Sequence, residues 1–93
     1  MILSLSLDND ALYAGLDIAV EAGKMNLRTP PEEAITVLLR NLATMAIDPA
    51  EVVLTGSMAI WAYLAVFHAL HGRTRRISYQ DGVGRKILVA AHG

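Results

Sequence analysis

The stretch VVLTGSMAIWAYLAVFHALHG, residues 52–72, decides the fold of this chain. It begins with three apolar residues, typical of a short buried strand, and continues through a tight turn, Thr55-Gly56-Ser57. An apolar run over residues 58–70 follows, and Gly72 is a typical C-terminal stop for a helix. The stretch therefore predicts a strand, a turn and a helix in direct succession, as in an α/β domain.

The predicted helix is apolar on every side. Wound at 3.6 residues per turn, it points Ile60, Trp61, Leu64 and Phe67 in several directions. One side has to pack on a sheet, and the other needs a further partner. A second copy of the chain is the partner we expect, so the sequence predicts a homodimer or a larger stacked homo-oligomer.

Two strands are predicted after this helix. The first covers residues 75–79, and a glycine-rich turn, QDGVG, covers residues 80–84. The second, ILVAA over residues 87–91, is predicted to be buried on both faces, and His92 ends it.

A second helix is predicted before residue 52. Thr29 is an N-cap candidate, two prolines follow it, and Asp48-Pro49 ends the pattern. Arg40 and Asn41 are expected on the outside. The apolar positions at helical spacing are Ile35, Leu38, Leu39, Leu42 and Met45.

The first 28 residues leave two interpretations open. Residues 2–7 fit a strand, Asp8-Asn9-Asp10 fits a turn, and residues 12–20 alternate apolar and polar, which predicts a β-hairpin. The same residues also fit a helix capped by Asp10. Residues 23–28 are predicted to be a connection.

The composition indicates one globular domain, residues 1–93. With 54% hydrophobic and 18% charged residues, the chain is too apolar to be disordered. Its longest apolar run is too short to span a membrane, it has no cysteine, and its start lacks the basic residues of a secretory signal, so a cytoplasmic location is expected. We expect an α/β fold with a small Rossmann-like or ferredoxin-like sheet of about five strands and two main helices.

Three groups of residues are candidates for chemistry. The turn Thr55-Gly56-Ser57 fits a phosphate-binding turn at a strand end, although Ser57 also fits a helix N-cap. His68 and His71 are spaced to share one helix face, where they fit either acid/base chemistry or a favourable contact with the helix dipole. Asp81 fits a general base or an Asp-Gly turn.

Basic residues are concentrated after residue 51, where they outnumber the acids Glu51 and Asp81. They fit either an anion-facing surface or solvated loop charges. The basic residues of this part are Arg73, Arg75, Arg76, Arg85 and Lys86.

Residues 52–92 resemble the C-terminal half of the small CRISPR-associated ring nuclease family of the Csx-three type. The resemblance covers about forty residues without a gap. It is carried by Thr55-Gly56, Ile60-Trp61, His68 with His71, Tyr79 with Val83-Gly84, and the final apolar strand that closes in His92.

The resemblance implies a homodimer that binds cyclic oligoadenylate, the second messenger of type III CRISPR antiviral signalling, and linearises it. Cleavage would use the ligand's own 2′-hydroxyl, requires no cofactor, and leaves manganese as an optional metal. The implied catalytic residues are His71, His68 and Asp81. Helical spacing puts His71 on the same face as His68, and we expect it at the mouth formed by the Thr55-Gly56-Ser57 turn and the turn over residues 79–84. The implied ligand-binding residues are Thr55, Gly56, Ser57, Tyr79, Gln80 and Arg85.

The chain departs from the family at two charged positions. Gln80-Asp81-Gly82 stands where the family has Asp-Pro-Arg, and Ser57-Met58-Ala59 stands where it has Arg-Gly-Pro. Loss of these phosphate contacts favours an alternative function, a non-catalytic cyclic oligoadenylate sensor or sponge, whereas the presence of both histidines favours the enzyme. A single-stranded RNA-binding module of the same fold is a further alternative.

Overall fold

A computed structural model describes residues 1–92 of the chain, and its fold is α/β, as predicted. The elements in chain order are β1 (Ile2–Ser4), α1 (Asp10–Tyr13), β2 (Ile18–Glu21), β3 (Lys24–Leu27), α2 (Pro31–Thr44), β4 (Glu51–Thr55), α3 (Ile60–Leu70), β5 (Arg76–Gln80) and β6 (Lys86–Ala91). The strand-turn-helix succession over residues 52–72 is confirmed. None of the helices within residues 1–92 reaches the length and apolar character needed to cross a membrane.

The main sheet has the strand order β1-β4-β5-β6. Strands β1, β4 and β5 are parallel, and β6 joins β5 antiparallel. Unlike an antiparallel ferredoxin-like sheet, this sheet joins three parallel strands through helices, as an α/β fold does. It has four strands rather than about five, because β2 and β3 pair with each other in a separate small sheet.

Both long helices lie on the same face of the main sheet. Right-handed crossovers that advance in one direction, from β1 to β4 to β5, bring α2 and α3 to the same side, and the two helices contact each other there. Between the helices and the sheet lies the core: Leu3, Leu5, Leu12, Tyr13, Leu38, Leu42, Val52, Leu54, Ala62, Val66, Leu70 and Ile77. The opposite face is without a helix among the described residues, and Glu51 there pairs with Lys86 and Arg76.

The prediction that residues 87–91 are buried on both faces is wrong. Ile87, Leu88 and Val89 of β6 are 47%, 48% and 56% exposed. The reason is topological: β6 is the last strand of the sheet, it pairs only with β5, and α3 covers β4 and β5 instead.

The predicted hairpin over residues 2–20 is also wrong. Asn9 rather than Asp10 caps a single-turn helix, α1, because its side chain accepts from Leu12 N and donates to Ser4 O. The hairpin of the structure is β2 and β3, which fall partly in the predicted connection. Ala22 and Gly23 form its two-residue turn, both with positive φ, 51° and 76°, as tight hairpin turns require.

The second predicted helix is confirmed as α2, with two local differences. Its N-cap is Pro30, while the Thr29 hydroxyl accepts from Asp17 N at 2.9 Å. Asn41 does not face outward: its amide nitrogen donates to Leu12 O and Ala14 O at 2.9 and 2.8 Å. It thereby ties the end of α1 to α2.

Candidate functional site

The carboxyl ends of the parallel strands meet at one edge of the sheet, and Gly56 lies at this edge, directly after β4. Gly56 has φ +102°, and a Cβ at this position would lie 2.6 Å from Ser6 Oγ and 2.9 Å from Ser4 Oγ. No larger residue fits without displacing the segment after β1. The turn after β4 is therefore held against that segment by close backbone packing.

The hydroxyls of Ser4 and Ser6 accept hydrogen bonds from backbone N–H groups that could otherwise bind a ligand. Ser57 N donates to Ser6 Oγ at 3.0 Å, and Ser6 N donates to Ser4 Oγ at 3.2 Å. Ser57 is not the N-cap of α3, because the cap is Ala59, whose side chain makes no capping bond. The expected phosphate contact from Ser57 N–H would have to replace an internal hydrogen bond.

Two tyrosines brace the turn from the helix side. Tyr63 of α3 donates from its hydroxyl to Gly56 O, and its ring meets that of Tyr79 edge to face, with 5.5 Å between centroids. Burial raises the pKa of the Tyr63 hydroxyl, and the neighbouring Tyr79 adds to the increase. Tyr63 therefore stays protonated and keeps donating at neutral pH.

Asp81 organises the glycine-rich turn between β5 and β6. Its Oδ1 accepts from Val83 N and Arg85 N at 3.0 and 2.9 Å, and its Oδ2 accepts from Arg85 Nε at 2.7 Å. The backbone hydrogen bond from Arg85 is the largest cause of a lowered Asp81 pKa. A carboxylate with both oxygens engaged is a weak base, so the contacts describe a turn-stabilising residue. Its role in catalysis stays a prediction.

The two turns enclose an open cavity of about 490 Å³. The lining residues are Thr55, Gly56, Ser57, Tyr79, Gln80, Asp81 and Gly82. The structure thus brings together every predicted ligand-binding residue except Arg85, which is attached to the site through Asp81. The lining has hydroxyl, amide and aromatic groups and the carboxylate of Asp81, but no basic side chain.

A second cavity of about 470 Å³ adjoins the first at Ser57, beneath the β2-β3 hairpin. Its lining includes Ser6, Asp8 and Lys24 as well as Ser57. The sequence analysis missed this side of the site. The polar alternation of Ser4 and Ser6 at the end of an apolar strand was the available signal, whereas the position of Lys24 depends on where the hairpin folds.

The predicted catalytic histidines lie at the opposite edge of the sheet. His71 caps the C-terminal end of α3 and forms a bridge with Thr74, just before β5 begins. Its ring contacts that of His92, with 4.3 Å between centroids, and His92 N donates to Arg75 O. The expectation that His71 lies at the mouth of the two turns is therefore wrong, because α3 runs antiparallel to β4 and carries its end away from them.

The histidines and the turn cavity lie too far apart to form one active site within a single chain. The five residues of β5 span about 13 Å at 3.3 Å per residue, and they separate Arg75 from Asp81. His68 is exposed in the last turn of α3, on the same side of the molecule as His71. One chain therefore does not bring the histidines and the turn cavity to one phosphodiester.

The histidine edge is basic. A cavity of about 280 Å³ there is lined by Arg73, Thr74, Arg75 and His92, with Pro49 and Gly72. Arg73 is held by hydrogen bonds to Leu42 O and Met45 O rather than by an acid. Within residues 1–92, no three His, Asp or Glu side chains cluster as a metal site would require.

Comparisons with known protein families, with curated proteins and with solved structures found no match for this chain.

Proposed function

We propose that this chain is a cytoplasmic cyclic oligoadenylate-binding protein that acts as a homodimer in type III CRISPR signalling and linearises its ligand. The observation that supports the proposal best is the cavity at the carboxyl edge. It gathers Thr55, Gly56, Ser57, Tyr79 and Gln80, five residues that the family resemblance associates with the ligand. A cavity of about 490 Å³ falls within the range of small-ligand sites.

Each chain is suited to hold one part of the ring. The neutral polar groups of Thr55, Ser57 and Gln80 match the hydroxyls of a ribose and the edge of an adenine, and Tyr79 offers an aromatic surface. Arg85 is engaged by Asp81, whereas Lys24 is a basic residue that lines the adjoining cavity. It is therefore our candidate for the phosphate contact that the family makes with an arginine.

Cleavage requires a second copy, because the histidines lie at the other edge of each sheet. In this proposal the turn cavity of one copy holds the nucleotide, and His71 and His68 of another copy approach its phosphate. The 2′-oxygen bonds to phosphorus, the bond from phosphorus to the 5′-oxygen breaks, and the product is a linear chain ending in a 2′,3′-cyclic phosphate. One histidine accepts the 2′-hydroxyl proton, and the other donates a proton to the leaving 5′-oxygen.

A non-catalytic sensor or sponge is the second candidate function. It is favoured by Asp81, whose oxygens are both engaged within its own turn, and by the absence of a basic side chain from the cavity lining. Such a protein would bind the ring in the same cavity and leave it intact. Single-stranded RNA would be the ligand if a linear chain binds as well as a ring.

Incubation of the pure protein with cyclic tri-, tetra- and hexa-adenylate, with and without manganese, tests the proposal. We expect at least one ring to be converted to a linear product, resolved by chromatography. Binding without any product would leave the sensor as the function. Failure of all three rings to bind would contradict both.

A mixing experiment tests whether the cleaving site is shared. His71→Ala and Gln80→Ala should each lose cleavage alone, because every site in either homodimer lacks one component. Half of the dimers in an equal mixture are mixed, and each has one intact site of two, so we expect roughly a quarter of the wild-type turnover after mixing. A mixture as inactive as its components would contradict a site built from two copies.

A further inference from the structure

We infer that the histidine edge of the sheet, opposite the turn cavity, binds a doubly charged phosphate group. The site is the cavity of about 280 Å³ at that edge, and its ligand-binding residues are Arg73, Thr74, Arg75 and His92. The phosphate would be either the free ion or the terminal group of a phosphate monoester. The inference goes beyond the proposed function, because it requires neither a nucleotide ring nor a second copy of the chain.

The first observation is a buried hydroxyl group without a hydrogen-bond partner. Thr74 is 4% exposed, and its Oγ1 finds no partner among residues 1–92. A buried hydroxyl whose hydrogen bonds are unmade destabilises a fold, so native proteins retain few of them. Because Thr74 also lines the cavity at this edge, an oxygen atom of a ligand there is the natural acceptor for its hydroxyl.

The backbone around Thr74 is held on both sides. Arg75 N donates to Pro49 O at 2.9 Å, and His92 N donates to Arg75 O at 2.7 Å. Pro49 and His92 line the same cavity. The cavity wall is therefore fixed by backbone hydrogen bonds before any ligand binds, which lowers the entropy cost of binding.

The side chain of Arg73 is positioned without an acidic partner. Its guanidinium group donates to Leu42 O and Met45 O at 3.1 and 3.2 Å, at the C-terminal end of α2. These contacts fix the side chain but leave its charge unneutralised and other N–H groups available to a ligand. A guanidinium group held in this way loses little side-chain entropy when an anion binds.

The cavity has an excess of positive charge. Of the described residues, none that lines it is acidic, and within residues 1–92 neither Arg73 nor Arg75 forms an ion pair. Asp48 precedes Pro49 in the chain, but it accepts from Ala50 N at 2.9 Å and pairs with the N-terminal ammonium group at 3.7 Å. The cavity therefore attracts anions, although the whole chain has a net charge of -1.

The donors of the cavity match a phosphate group that has two charges. Guanidinium groups present pairs of N–H donors that fit two phosphate oxygens, and the hydroxyl of Thr74 donates to a further oxygen. His92 adds a ring N–H at the same cavity. A phosphate monoester has a charge of about −2 at neutral pH, which balances two arginines better than the single charge of a phosphodiester does.

Backbone amide NMR of the protein, titrated with inorganic phosphate, tests the site. Sodium chloride holds the ionic strength constant, so that general screening of charges does not change during the titration. We expect saturable shifts centred on residues 72–75 and 92, with a dissociation constant of about 1 mM or tighter. Because phosphate is the ligand added, the result does not depend on any oligoadenylate.

A Thr74→Val variant tests the role of the buried hydroxyl. Valine keeps the shape of threonine and removes a hydroxyl that has no partner within residues 1–92, so the ligand-free variant should be at least as stable as the wild type. Its affinity for phosphate should fall by about 10- to 100-fold, as for loss of a hydrogen bond to a charged group. Lower stability with unchanged affinity would identify a purely structural hydroxyl and contradict the site.

An Arg75→Gln variant tests the role of charge. It should weaken phosphate binding at least about tenfold, because it removes a charged donor from the cavity. Arg28→Gln is the matched control: it removes the same charge directly after β3, where Arg28 pairs with Glu21. The control should bind phosphate as the wild type does. An equal loss of affinity in both variants would indicate net charge rather than a site.

Competition with nucleotides distinguishes the two sources of the phosphate group. AMP and 3′,5′-cyclic AMP have the same base and ribose, but AMP has a doubly charged monoester and cyclic AMP a singly charged diester. If the site accepts monoesters, AMP should displace inorganic phosphate at least about tenfold more strongly than cyclic AMP does. If neither displaces it, the ligand is free phosphate. Equal displacement by both would contradict a site for a doubly charged group.

Two further results would overturn the inference. They are the absence of saturable shifts at about 20 mM phosphate under constant ionic strength, and saturable shifts confined to residues outside the histidine edge. Circular dichroism of each variant verifies that it is folded. Gln80→Ala, in the turn cavity, should keep its affinity for phosphate, so failure of the proposed function and failure of this site are distinguishable.

Discussion

At the residue scale, Gly56 bears the closest packing of the candidate site. Gly56→Ala forces a Cβ to within 2.6 Å of Ser6 Oγ at a φ of +102°, whereas Gly72→Ala, at +96°, adds a Cβ with no heavy atom within 4 Å. Both variants lose the conformational freedom of glycine, but only Gly56→Ala must also move the segment after β1. We expect Gly56→Ala to lower the free energy of unfolding by about 1–3 kcal/mol more than Gly72→Ala, measured in urea. An equal loss of unfolding free energy in the two variants would contradict this prediction, because the segment after β1 would then move without an energetic penalty.

Asp81 makes a second residue-scale prediction, on the pH dependence of stability. Its hydrogen bonds lower the pKa of the carboxyl group in the folded state. The carboxylate therefore stabilises the fold above the unfolded pKa of about 4, and that contribution is lost as the pH falls through the folded value. We expect Asp81→Asn to reduce stability at pH 7 and to make the melting temperature fall less steeply between about pH 5 and pH 2. A variant whose pH profile matches the wild type would contradict this assignment.

A third prediction at the residue scale uses a His71 variant to distinguish the two proposed functions, enzyme and sensor. His71→Ala removes a ring that contacts His92 but is exposed, so we expect the melting temperature and the ligand affinity to change little. If the protein cleaves its ligand, turnover should fall by about 10²–10⁴-fold, as for loss of a general acid or base. Loss of stability with unchanged turnover per folded molecule would instead indicate a helix-capping role.

At the scale of elements, α3 has one side in the core and another outside it. Val66 is fully buried, and Leu64 is 65% exposed. We expect Val66→Ala to lower the free energy of unfolding by about 1–3 kcal/mol at any protein concentration, since it leaves a cavity. Leu64→Ala should have little effect in dilute protein but should remove the stabilisation that the wild type gains on dimerisation. Urea unfolding at two protein concentrations measures both, and a concentration-independent effect of Leu64→Ala would contradict a dimer through α3.

The elements also show what the sequence could predict. Residues 52–72 have a strong local pattern and form the predicted strand, turn and helix. The exposure of β6 has no local signal, because ILVAA looks the same in a central strand and at an edge. Residues 12–20 alternate as a strand would, yet the cap that Asn9 provides starts a helix there. The direction of α3 follows from topology, and helical spacing alone could not locate His71.

At the scale of the whole molecule, the candidate residues are divided between two edges of the sheet. The cavity between the two turns is at the carboxyl edge, and the histidines with Arg73 and Arg75 are at the other. A ring of nucleotides held by two copies would meet both edges, whereas one chain offers it only one. The charge at the histidine edge predicts that added salt weakens binding.

Isothermal titration calorimetry with cyclic and linear oligoadenylate of the same length tests the central claim most directly. We predict one ring bound per two chains, an affinity that falls as salt increases, and binding of the linear chain at least about tenfold weaker. Gln80→Ala should weaken the binding of the ring, and Thr36→Ala, on the exposed side of α2, should not. Equal affinity for ring and linear chain, or no heat of binding with rings of three, four or six adenylates, would contradict the account.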